Sequence, residues 1–202
     1  MERIGRAPER IVTERLVLRS YEPGDAAAVK EAIDSSLDHL RVFMDWAWLA
    51  PEPVVVVEER LGLFGTSFAN GEDFVYGVFT PDEGEYVGGA GLHRRVGPRA
   101  LEIGYWIRSS RLRQGFATEA SAALTRVAFD SCGVERVEIR IDPANVASIG
   151  VPAKLGYSLE QTLREELVPV REGGPRRDAA VYVLTADAYP SSPAATALPA
   201  PG

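Results

Sequence analysis

The sequence predicts an α/β domain built on a mixed, mostly antiparallel sheet of about seven strands flanked by helices. Three observations predict it. Strand-like runs between Phe74 and Ile107 are separated by short turns, the pattern of an antiparallel meander. Stretches with helical spacing stand on both sides of that meander. At Glu102–Ala120 a strand runs through a polar corner containing a glycine straight into a helix, so unpaired backbone N–H groups collect there. Such a corner can hold phosphate.

Each element has its own signal. Leu16 and Leu18 alternate with polar neighbours between Arg15 and Ser20, as in a half-buried strand, and Glu22-Pro-Gly-Asp25 marks a turn before a helix over Ala26 to Ile33. Ser35 to Trp48 is dense in aromatic and apolar side chains and stops at Pro51 and Pro53. It either walls a pocket or packs Leu37, Leu40, Phe43, Met44 and Trp46 into the core. Four consecutive valines favour a strand, but Val54, Val57, Leu61 and Phe64 lie on one helical face, so Val54 to Phe64 is read as helix.

Strands follow at Phe74–Phe79, Tyr86–Val96 and Ala100–Ile107, with turns at Pro81–Gly84 and Gly97-Pro98. A helix from Gly115 or Phe116 to the region of Asp130 presents Ala120, Leu124, Val127 and Ala128 on one face and stops at Gly133. Val134–Ile141 alternates strictly, Asp142-Pro-Ala-Asn145 closes it, and a short helix ends near Leu155-Gly156. A last strand pair, Tyr157–Val168 and Ala179–Thr185, is joined by the loop Arg171–Asp178. Because a helix links the strands of Ile103 and Ile139, those two are expected to be parallel. Residues 1–189 are read as one domain, and 190–202, rich in Pro, Ala and Ser, as a disordered tail.

Bulk properties narrow the function. A net charge of −7 on 202 residues argues against nucleic acid as a partner. No apolar run approaches the roughly 20 residues of a membrane span, and the N-terminus lacks a signal-like apolar core, so a cytoplasmic protein without membrane contact is expected. Cys132 is the single cysteine, which excludes an internal disulfide and a thiolate zinc site, and it is read as a small buried apolar residue. His39 and His93 are too few and too far apart for a metal cluster, so no metal is expected. No Gly-x-x-x-x-Gly-Lys-Ser/Thr run is present. Gly89-Ala-Gly91 lacks the third glycine and the following helix of a dinucleotide fingerprint.

Four segments together resemble the GNAT acyl-CoA-dependent N-acetyltransferases, and within them the branch of the ribosomal-protein N-terminal acetyltransferases. They are Thr13-Glu-Arg-Leu-Val-Leu-Arg19; Ser36-Leu-Asp-His-Leu-Arg41 through Trp46; Glu102-Ile-Gly-Tyr-Trp-Ile107 with Gln114-Gly-Phe-Ala-Thr-Glu-Ala120; and Asn145-Val-Ala-Ser148 with Lys154-Leu-Gly-Tyr157. The resemblance spans Thr13 to Tyr189 and implies the GNAT fold, with acetyl-CoA as cosubstrate and direct transfer to a primary amine in a ternary complex. It also implies a sheet splayed between the fourth and fifth of the seven strands.

On that resemblance the pyrophosphate of coenzyme A would meet the backbone N–H groups of Arg113, Gln114, Gly115, Phe116, Ala117 and Thr118. The pantetheine arm would pair with free backbone groups of Ile103, Tyr105, Trp106 and Ile107, and one strand N–H would face the thioester oxygen. Asn145 would contact the pantetheine amides or cap the following helix. Glu102, which shares a strand face with Gly104 and Trp106, is the expected base. Ser148 is the expected donor to the departing thiolate, with Tyr157 in reserve. His93 is read as structural, with proton relay as its alternative, and Arg171, Arg176 and Arg177 as solvated surface or a phosphate contact.

Two positions depart from the family pattern. Leu112 stands where the phosphate loop usually begins with Arg or Gln, leaving Arg111 or Arg113 to supply charge, and Pro152 stands where many members carry a tyrosine acid. The acceptor is expected to be a protein or peptide N-terminal amine. The alternatives are a small-molecule amine or, with those two departures in mind, a non-catalytic acyl-CoA-binding module. Monomer and homodimer are both left open.

Overall fold

A computed structural model describes residues 4–198. In chain order the elements are β1 (Arg10–Val12), β2 (Val17–Arg19), α1 (Ala26–Asp34), α2 (Leu37–Leu40), a 3-10 turn at Asp45–Trp48, α3 (Val54–Asn70), β3 (Asp73–Phe79), β4 (Tyr86–His93), β5 (Ala100–Ile107) and α4 (Phe116–Arg126). There follow β6 (Arg136–Ile141), α5 (Val146–Leu155), β7 (Ser158–Leu167), β8 (Arg177–Thr185) and α6 (Pro193–Thr196). The strands form one sheet in the order β1-β2-β3-β4-β5-β6-β8-β7, antiparallel throughout except for β5 and β6.

The sheet has eight strands where about seven were expected. The extra one, β1, is three residues long and pairs Arg10 to Val12 with Arg19 to Val17. It is too short to show a period, and only the antiparallel return into β2 makes it a strand.

Helix α3 confirms the helical reading of the valines and runs on to Asn70, where Gly71 at φ 69° donates to Phe68 O and ends it. Val57 and Leu61 are buried while Val54 and Val55 remain exposed, so burial of one face decided the conformation over β-branched propensity. The two faces of the sheet bury different sets. Leu92, Leu101, Ile103, Val137 and Ile139 pack with Ala120, Leu124 and Leu155 of α4 and α5. Phe79, Tyr86 and Trp106 pack with α1 and α3.

Residues 190–198 correct the expectation of a disordered tail; residues 199–202 lie outside the described residues. Tyr189 stacks on Phe129 at 4.6 Å, Ala194 is fully buried, and the Arg126 guanidinium donates to Leu198 O at 2.6 Å. Alanine and proline carry little charge to repel burial and little side-chain entropy to lose, so a segment that reads as low-complexity can still fill space beside α5.

Gly156 shows how closely it fits. The residue ends α5 at φ 83°, and a Cβ there would stand 2.5 Å from Pro193 Cδ. Gly156→Ala is expected to lower unfolding free energy by about 2 kcal/mol, because it adds a clash to left-handed strain. Gly133→Ala, at φ 65° with open space around it, should cost about 1 kcal/mol. Urea titration of the two variants checks the ordering.

Candidate active site

Pairing between β5 and β6 is brief. Ala100, Leu101 and Glu102 register with Arg136, Val137 and Glu138, and then the strands part. Beyond this point β5 continues with β4 as far as Ile107, while β6 stays with β8 as far as Ile141. The edge of β5 from Ile103 to Ile107 that faces β6 is therefore open, a fork between the fifth and sixth strands that the uncounted β1 shifts by one from the expected numbering.

At the far end of β5 the chain turns through a 3-10 turn at Ser109–Arg111 into α4. Gly115 takes φ 84° as the residue before the helix, and Arg113 also sits at positive φ, 61°. The first amide to find an acceptor inside α4 is Glu119, bonded to Gly115 O. Among the described residues the backbone N–H groups of 113–118 have no acceptor, so six consecutive donors face outward at the positive end of a helix.

Residues from the N-terminal segment hold this corner. Thr13 Oγ1 donates to Glu119 Oε1 at 2.6 Å, Arg15 Nε to Glu119 Oε2 at 2.7 Å, and Arg15 Nη1 to Gln114 O at 2.9 Å. Arg111 is committed to Glu85, whereas Arg113 has no side-chain partner among the described residues.

The fork opens into a cleft of about 910 Å³ that runs from α1 and α3 through to the start of α5. Its aromatic wall comes from Tyr21, Tyr86, Trp46 and Trp106, with Trp46 and Trp106 centroids 5.7 Å apart. The segment that supplies Trp46 is tied to the end of β5: Ser109 N donates to Ser36 Oγ at 2.9 Å, and the His39 ring lies 3.3 Å from Ile107 O. Phe43 and Met44 also line the cleft, so this segment walls it while Leu40 serves the core.

Glu102 lies at the fork and is buried, and both its oxygens are taken by Arg95, at 3.0 and 2.6 Å. Direct contact of an amine with this carboxylate must compete with a guanidinium. Its registered partner on β4 is His93, whose Nδ1 meets Asp73 at 2.9 Å.

The remaining candidates divide. Asn145 Oδ1 accepts from Ser148 N at 3.1 Å, so it does cap α5. Ser148 lines the cleft, and its hydroxyl has no hydrogen-bond partner among the described residues. Tyr157 is buried in the core with its hydroxyl on Thr125 Oγ1 at 2.7 Å, away from the cleft. Arg171 stacks on Trp48, Arg176 donates to Glu166 O, and Arg177 pairs with Asp142, so all three have partners within the protein.

Pro152 explains a contact that the sequence does not announce. Within α5 it has no N–H for the carbonyl of Ser148, one helical turn earlier, and the Tyr105 hydroxyl donates to that carbonyl at 3.1 Å. The bond spans the fork on the α4 and α5 side of the sheet. Burial pushes the Tyr105 hydroxyl well above the ordinary phenol range, so it remains a donor.

A forked sheet whose open edge leads to a helix N-terminus with six free amides has the architecture of an acyl-CoA-dependent transferase. Residues 15–158 match the family described as "Acetyltransferase (GNAT) domain", and the chain belongs to it. It is an acetyl-CoA-dependent N-acetyltransferase.

Among its relatives is the "[Ribosomal protein uS5]-alanine N-acetyltransferase" of Escherichia coli (strain K12), 26% identical over 181 residues that cover 87% of this chain and 90% of that protein. The structure "Mycobacterium smegmatis RimJ in complex with CoA-disulfide" superposes with a TM-score of 0.77 at 26% identity, covering 95% of this chain and 90% of that one. "RimL- Ribosomal L7/L12 alpha-N-protein acetyltransferase", with coenzyme A, shares the fold at a TM-score of 0.77 and 20% identity, covering 88% of this chain and 98% of that one. No helix among the described residues is long and apolar enough to cross a membrane.

Cys132 is buried, and burial pushes its thiol up to about 11. At pH 8 its thiolate fraction is then on the order of 100-fold below that of an exposed thiol. A disulfide reagent at pH 8 is expected to leave the native protein unlabelled over minutes and to label one thiol after unfolding in denaturant.

Proposed function

We propose that this enzyme moves the acetyl group of acetyl-CoA onto the N-terminal amine of a protein or peptide by direct attack in a ternary complex. The observation that carries the reading is the two-sided fork. The open β5 edge leads on one side to the free amides of 113–118 and on the other to an aromatic-walled cleft with Asp45, Asp73 and Glu102 on its lining. A long thioester and an amine can then approach one strand from opposite faces, which removes most of the entropy of encounter. The uS5-alanine relative supports this acceptor class, and of the carboxylates on the cleft Asp45 has no ion-pair partner among the described residues and suits an incoming ammonium.

The residues of this chain fit the cosubstrate. The amides of Arg113, Gln114, Gly115, Phe116, Ala117 and Thr118 would take the pyrophosphate, with the unpartnered Arg113 adding charge. The backbone of Ile103, Tyr105, Trp106 and Ile107 would receive the pantetheine arm as an added strand and offer an N–H to the thioester oxygen. The Asn145 side chain keeps its amide N–H groups for the same arm. Ser148, with its hydroxyl free in the cleft, would hydrogen-bond the leaving sulfur.

Peptides with a free N-terminal alanine are expected to release thiol from acetyl-CoA faster than polyamines or aminoglycosides at equal concentration. The opposite order would place the acceptor among small cations. Gly115→Ala should weaken coenzyme A binding about 10-fold by calorimetry, since the loop must hold a left-handed residue. Ser148→Ala should lower kcat by about 10-fold and leave coenzyme A affinity unchanged.

A further inference from the structure

Among the titratable side chains of the cleft, His93 has a specific partner and a free nitrogen. Its Nδ1 lies 3.0 and 2.9 Å from the two oxygens of Asp73, which sits directly opposite on β3. An Nδ1–H donated to that carboxylate leaves the lone pair on Nε2. Nε2 has no hydrogen-bond partner among the described residues, and the side chain is 19% exposed within the cleft.

The ring lies flat across β4 and β5 because two registered positions there are glycines. A Cβ on Gly91 would stand 2.9 Å from Nε2 and one on Gly104 3.0 Å from it. Nε2 is thereby held over Gly104 of β5, two residues beyond the last β5–β6 pair, on the open edge.

We propose that His93, oriented by Asp73, is the group that takes the proton from the acceptor ammonium. The inference rests on acetyl transfer to an amine as proposed above. The Nε2 lone pair accepts one N–H proton of the ammonium, and the imidazolium so formed is balanced by the Asp73 carboxylate. The freed nitrogen lone pair forms the C–N bond to the thioester carbon and the C–S bond breaks, its electron pair leaving on sulfur. The second nitrogen proton reaches the thiolate, and the imidazolium returns its proton to water, so each turnover releases one proton. Glu102, both of whose oxygens are held by Arg95, keeps that guanidinium from confronting the ammonium and is a positioning residue.

The charged groups around the imidazole are Asp73 on β3, Arg95 after β4, Glu102 on β5, Asp45 in the 3-10 turn and Arg140 on β6. His93→Gln is expected to lower kcat about 100-fold with the KM for acetyl-CoA unchanged. Its acid limb should move up to the amine's own titration near pH 8, where neutral amine first becomes abundant. Asp73→Asn should lower kcat about 10-fold or more, because the amide can turn its N–H towards Nδ1 and place the imidazole proton on Nε2. Glu102→Gln should raise the KM for the peptide and keep the acid limb of the wild type.

Nitrogen NMR of histidine-labelled enzyme saturated with coenzyme A gives a readout that needs no acceptor: the neutral ring should carry its proton on Nδ1 in the wild type and on Nε2 in Asp73→Asn. An Nε2–H tautomer in the wild type overturns the proposal. So does a His93→Gln enzyme with the wild-type kcat and acid limb. Wild-type enzyme that acetylates polyamines but no peptide overturns the acceptor class instead, and the same variants then test His93 on the polyamine.

Discussion

Two parallel strands share three registered pairs and part at a fourth position, with Glu102 and Glu138 side by side at the last pair. Both carboxylates are buried, and burying like charges together is costly unless each is paired and hydrogen-bonded. Arg95 takes both oxygens of Glu102, while Arg136 and Arg140 each take one of Glu138. Beyond that pair each strand follows a different neighbour, β5 with β4 and β6 with β8, so the edges that face each other across the gap stay unpaired. The open edge leaves unsatisfied backbone groups, and an amide-bearing chain is the natural partner for them.

The fork must also be kept from collapsing. On the α4 and α5 side, the Tyr105 hydroxyl holds α5 at a fixed distance by bonding the one carbonyl that Pro152 leaves without a helical partner. The corner before α4 is held from another direction, because Thr13 and Arg15 converge on Glu119 in the first turn of α4. A carboxylate in the first turn suits the helix dipole, and here it also anchors the guanidinium that reaches back to Gln114 O. Preorganisation of this kind lowers the ordering cost that a flexible cosubstrate would otherwise impose on the loop.

Much of this was legible in the sequence because strong local signals agreed with one another. The meander, the helix after Gly115 and the alternation of 134–141 each had a period long enough to read. What escaped notice depended on register or on distant neighbours. Three residues of β1 carry no period. The tail from 190 looked compositionally disordered, yet Ala194 and Leu198 find room beside the core.

The Asp73–His93 pair was hidden by one residue. Phe79 pairs with Tyr86, and counting outward from that turn would place Glu72 opposite His93, but a register shift between Val78 and Phe79 brings Asp73 there instead. A bulge cannot be seen in hydropathy, and it changes which carboxylate meets the imidazole.

The glycines of β4 are the clearest case of a pattern with a meaning other than its first reading. Gly89-Ala-Gly91 has the outline of a nucleotide fingerprint, but its glycines lie on the cleft face of a strand, beneath rings. A Cβ on Gly89 would stand 2.7 Å from Trp106 Nε1, and the His93 imidazole covers Gly91 together with Gly104 of β5. Ala90 and Leu92, between and beside them, point the other way into the core with Ile103. The alternation of nothing and something along β4 is therefore a record of two faces with opposite needs: one filled by side chains from the strand itself, the other left bare so that an indole and an imidazole can lie flat on the sheet. With those rings lying flat, the cleft floor stays low beside the open edge of β5. Alanine at Gly91 or Gly104 would lift the imidazole off that floor while leaving the core face untouched.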